Sequence, residues 1–84
     1  MRYNYYKVTK RMQVYRFDQL FGFRNPNLLY TKVDIRIGNF TLHSGAEINR
    51  GITIEGIDLF HLIGKNLQVS MAGSSYRIMG VENG

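Results

Sequence analysis

The chain contains no cysteine, one proline, two histidines and six acidic residues among its 84 positions. Without cysteine there is neither a disulfide staple nor a thiolate metal site. Secreted domains this small usually need such staples, because a short chain buries too little surface to hold itself together. The expected setting is therefore the cytoplasm or the inside of a larger particle. No apolar run approaches the length of a membrane span, and no signal-peptide core follows the N-terminus. The sequon Asn39-Phe40-Thr41 accordingly reads as a strand segment and not as a glycan acceptor.

The scarcity of reactive side chains narrows the chemistry. His43 and His61 lie eighteen residues apart with no second histidine or cysteine at ligand spacing, so no metal is expected. His43-Ser44 supplies residue types of a hydrolytic triad, but no G-x-S-x-G elbow is present, and neighbours on a strand point to opposite faces. Asp58 reads as a helix cap and Glu55 as a solvated strand residue, not as an acid–base pair. Ala72-Gly73-Ser74-Ser75 precedes no helix that would hold a phosphate and reads as a hairpin turn. The chain is thus read as a non-enzyme without cofactor or small-molecule substrate.

What the chain does have is an uneven distribution of charge. Residues 1–24 carry six bases against one acid, whereas residues 25–84 carry five of each, so the net charge of +5 sits in the first third. Tyr3, Tyr5, Tyr6, Tyr15, Phe17, Phe21 and Phe23 lie there too. Within one domain, the sequence divides into a basic aromatic arm or N-terminal hairpin over 1–24 and a compact β body over 25–84.

Period-two alternation dominates the body. Leu29, Thr31, Val33, Ile35 and Ile37 read as one face of the longest strand. Gly38-Asn39 is a turn, with Phe40 and Leu42 pointing inward after it. Residues 46–50 read as a short strand or a turn. Ile52, Ile54 and Gly56 mark a further strand. Asp58 caps a helical turn near 58–63 that Gly64 closes in a left-handed conformation. Leu67, Val69 and Met71 form the next strand, and Tyr76–Val81 the last. The expected core is Val33, Ile35, Ile37, Phe40, Leu42, Ile52, Ile54, Leu59, Ile63, Leu67, Val69 and Ile78. In the leading segment Tyr3–Thr9 and Met12–Phe17 read either as a hairpin or as an arm ordered by a partner. Asp18 is placed to cap a helical turn that Gly22 ends, and Arg24-Asn25-Pro26-Asn27 is a loop. The fold class that follows is mainly β: a small antiparallel barrel or sandwich, SH3-like or OB-like, with one short helical turn.

The leading segment carries the functional expectation. Arg2, Lys7, Lys10, Arg11 and Arg16, interleaved with Tyr3, Tyr5, Tyr6, Tyr15, Phe21 and Phe23, suit a protein interface, where amphipathic rings supply area at low entropic cost. They also suit single-stranded nucleic acid, with cations on phosphates and rings on bases. The closing pattern, Leu67-Gln-Val-Ser-Met, Gly73 and Tyr76-Arg-Ile-Met-Gly-Val, resembles the final hairpin of small β-barrels in the virions of tailed bacteriophages. The resemblance spans residues 67–81 and is architectural. It implies a structural part, such as a head–tail connector, a tail or baseplate component or a capsid cement protein, whose arm docks on a neighbouring subunit. The expected function is a non-enzymatic assembly module in an oligomer. The alternative is a nucleic-acid-binding barrel that uses the same basic segment.

Overall fold

A computed structural model describes residues 12–82 of the chain. It is 59% strand and 11% helix, so the mainly β class read from the alternation holds. None of its sheets closes on itself. The order is β1 (Met12–Arg16), α1 (Phe17–Leu20), β2 (Phe21–Asn25), β3 (Leu28–Thr31), β4 (Ile35–Ile37), β5 (Phe40–Leu42), β6 (Glu47–Asn49), β7 (Thr53–Ile54) and β8 (Ile57–Asp58). A 3₁₀ turn (Leu59–Leu62), β9 (Asn66–Ala72) and β10 (Ser75–Glu82) complete it. A five-stranded sheet runs β1-β9-β10-β4-β5, a three-stranded sheet β2-β3-β6, and β7 pairs with β8. All pairings are antiparallel except β10 with β4. No helix among the described residues is long and apolar enough to cross a membrane. The expected strand Tyr3–Thr9 lies outside the described residues.

Residues 29–37 do not form one continuous strand. The chain leaves the three-stranded sheet after Thr31 and enters the five-stranded sheet at Ile35. The 43–46 loop supplies the partners that the broken ladder would have needed. Thr31 Oγ1 donates to the His43 carbonyl (2.9 Å) and accepts from the Ala46 amide (3.2 Å). The Ser44 amide donates to an Asp34 carboxylate oxygen (2.8 Å), and the Ser44 hydroxyl to the Lys32 carbonyl (3.1 Å). Alternation survives the corner, so the apolar face stays inward while the strand changes sheets. Thr31 is 1% exposed. Thr31→Val keeps the volume but strips the hydroxyl from two backbone groups, so a loss of about 1–3 kcal/mol is expected. Urea denaturation followed by circular dichroism measures it, and an unchanged midpoint contradicts the role.

The 58–64 segment follows its local chemistry. Asp58 accepts from the Phe60 amide at 3.0 Å, which caps the 3₁₀ turn. Asp58→Ala should therefore cost about 1 kcal/mol, visible as a lowered melting temperature. Ile63 (φ −58°, ψ 131°) and Gly64 (φ +80°) form a type II turn closed by the Lys65 amide on the Leu62 carbonyl at 3.0 Å. This turn puts Ile63 outside the core, at 40% exposure, which corrects its expected place. Glu55 (φ 51°) and Gly56 (φ 79°) are the two left-handed residues of the β7–β8 hairpin. Glu55 is thus a turn residue and not part of a longer strand. In β10 the register slips between Ile78 and Gly80. The extra residue, Met79, lets Ile78 and Val81 both pack on the core although they are an odd number of positions apart.

The core joins both ends of the described chain. Phe17, Leu20 and Phe21 are buried with Leu29, Ile35, Ile37, Leu42, Ile48, Ile54, Leu59, Phe60, Leu62, Leu67 and Val69. Val33 and Ile78 pack against this cluster from its margin. Phe17 and Phe21 stack at 4.8 Å. Residues 12–21 of the leading segment thus share the body's core and sheet, with β1 paired along its whole length with β9. Two further expected core residues lie at the surface: Phe40 is 46% and Ile52 51% exposed. Phe40 opens the edge strand β5 directly after the Gly38-Asn39 turn, and Ile52 closes the Asn49–Ile52 turn before β7 begins.

Candidate interaction surfaces

Phe40 and Ile52 are brought together across a cleft of about 460 Å³. Leu42, Ile48 and Ile54 form its apolar floor, and Glu47, Asn49, Thr53 and Glu55 its polar margin. The cleft lies between β5, the last strand of one sheet, and β6, the last strand of another. Each has a side with no strand partner among the described residues. Unpaired edges beside exposed apolar rings are what an added strand or a second chain would cover. Glu47 is held by the Arg24 Nε at 3.2 Å, with both side chains about half exposed. Such a pair contributes little and exchanges partners readily.

The expected contact residues scatter. Arg2, Tyr3, Tyr5, Tyr6, Lys7, Lys10 and Arg11 lie outside the described residues. Tyr15 is half buried, edge-on to Tyr76 at 5.4 Å. Phe21, 1% exposed, is a core residue and offers no contact surface, because it opens β2 directly after α1, paired with Thr31 of β3 and packed in the core. The helical turn α1 starts two residues earlier than a cap at Asp18 would put it. Arg16 stands before it, and its amide donates to Gln19 Oε1 at 2.8 Å, while Asp18 pairs with the Arg16 Nε at 3.1 Å instead of capping. Arg16 and Phe23 do converge, on a second cleft of about 280 Å³ with Ile63 at its lip.

The outer face of the five-stranded sheet holds a feature that charge counting missed. Ile35 and Ile37 face the core, so Arg36 between them faces out; Arg77, between Tyr76 and Ile78, does the same. The parallel β4–β10 register sets Arg36 directly beside Arg77. Two other described bases are held by neutral partners: Lys32 Nζ donates to the Asp18 carbonyl at 2.7 Å, and Arg50 donates to Asn27 and Pro26 and covers the Phe60 ring. Among the described residues no three histidine, aspartate or glutamate side chains converge as a metal site. Comparison of the chain with protein-family models, with curated proteins and with solved structures finds no match.

Proposed function

We propose that this protein is a non-enzymatic assembly module in which the cleft between β5 and β6 of one copy receives the basic, aromatic leading segment of another. The observation that carries the reading is the pair Phe40 and Ile52, large apolar side chains held in solvent at a cleft flanked by two sheet edges. The occupant is argued from complementarity. Residues 1–11 contain four bases and no acid, and Tyr3–Thr9 alternates as a strand does. The cleft offers an apolar floor with Glu47 and Glu55 beside it. An added strand gains main-chain hydrogen bonds from the edge and places alternate side chains in the cleft. A head-to-tail contact of this kind closes into rings or extends into larger assemblies.

We read the fold as an opened variant of the SH3-like barrel, supported by the 3₁₀ turn ahead of the last hairpin. The likeness of that hairpin to those of tailed-phage virion proteins supports a place as a structural component inside such a particle.

Sedimentation velocity over a concentration series tests the reading. Association is expected, weakening little from low to moderate salt because apolar contact leads it, and a synthetic peptide of residues 1–11 should compete. A monomer at every concentration overturns the reading. Association that the peptide leaves untouched overturns the choice of occupant.

A further inference from the structure

We infer a phosphate-binding site on the outer face of the five-stranded sheet, formed by Arg36 and Arg77, whose ligand is the phosphodiester backbone of a nucleic acid. The site is separate from the cleft, on the opposite side of β5 from the apolar floor, and does not depend on the assembly reading. Three observations carry it. The register places Thr41, Arg36, Arg77, Ser70 and Met12 in one row across all five strands, so the two arginines occupy neighbouring positions on one face. Like charges directly across a strand pair repel, and nothing in the packing rewards that placement. The Arg36 Nε is buried and has no hydrogen-bond partner among the described residues, in a class of group that proteins almost always satisfy. Among the described residues neither arginine makes an ion pair, whereas Arg16 and Arg24 both do.

One anion between the two side chains would answer the repulsion. A carboxylate needs a single guanidinium fork, whereas a phosphate group presents oxygens in several directions and bridges two forks. The neighbours on the row, Ser70 and Thr41, are hydroxyl donors of the kind that also contact phosphate oxygens. A chain charge of +5 favours a polyanion over an isolated ion by counterion release.

The test uses the full chain and a fluorescein-labelled oligothymidylate, read by anisotropy over a salt series. The double variant Arg36→Gln/Arg77→Gln is expected to bind at least ~10-fold more weakly, with the slope of log K against log salt reduced by about 0.7, the value for the one phosphate of a single strand that the pair neutralises. Inorganic phosphate is expected to raise the melting temperature of the wild type more than that of the double variant. Because Arg36 is unsatisfied in the free protein, Arg36→Gln alone should melt at or above the wild-type temperature. A lower melting temperature would make Arg36 a structural residue and overturn the inference. So would unchanged oligonucleotide affinity in the double variant. If the double variant instead loses binding to polyglutamate while oligothymidylate binding stays, the site takes carboxylates of a protein partner and the phosphate assignment fails.

Discussion

Replacing Phe21 by alanine is expected to cost about 3–5 kcal/mol, the range for removing a buried aromatic ring, and to lower the denaturation midpoint steeply. The ring is 1% exposed, stacks on Phe17 at 4.8 Å, and lies in the core with Leu20 and Leu29. A domain of this length has a total stability of only about 5–10 kcal/mol, since small chains bury a smaller share of their surface. The loss therefore consumes a large fraction of it. Guanidinium denaturation read by near-ultraviolet circular dichroism measures the effect. A midpoint equal to that of the wild type would mean that residues 17–21 are a detachable segment and not part of the common core. Phe23→Ala serves as the comparison: this ring is half exposed, so its removal should cost far less.

The second large effect concerns association and not stability. The double variant Phe40→Glu/Ile52→Glu should weaken self-association about 100-fold or more while leaving the melting temperature close to that of the wild type. Each substitution places a carboxylate where the docked segment would desolvate it, and an unpaired charge in such a place costs at least as much as losing the apolar contact. In the free protein both positions already face water, at 46% and 51% exposure, so folding is little disturbed. Light scattering behind size exclusion reads the change. Undiminished association with an intact fold would move the interface away from the cleft. A collapse of the fold would show that Phe40 and Ile52 contribute to the core after all.

Much of the fold was legible along the chain because it depends on neighbours in sequence. The Asp58 cap, the left-handed Gly64 and the alternation of Leu67 with Val69 are local facts of side-chain reach and backbone geometry, and each appears as read. The errors share one cause. Alternation says which side chains share a face, but not which faces find a second layer to cover them. Phe40 and Leu42 share a face of β5, yet only Leu42 is buried. Leu29 and Ile37 share a pattern, yet they belong to different sheets because the 43–46 loop takes over the hydrogen bonds between them. Phe21 fell among aromatic neighbours that suggested a docking segment, and only the pairing of β2 with β3 and the packing of the core place it inside.

The candidate sites divide in the same way. The apolar character of Phe40 and Ile52 was plain, but their exposure and their meeting across a cleft arise from where two sheets end. Arg36 and Arg77 stand forty-one positions apart and were counted as balanced charge in a neutral body. Their adjacency follows from the one parallel pairing among the described residues, which no local pattern encodes. Sequence by itself determined the β class, the capped turn before the last hairpin and the positive excess in the first third, since propensity, capping and charge act over a few residues. Tertiary structure alone decided which apolar residues are covered and which cations become neighbours, because both depend on the register between strands distant in the chain.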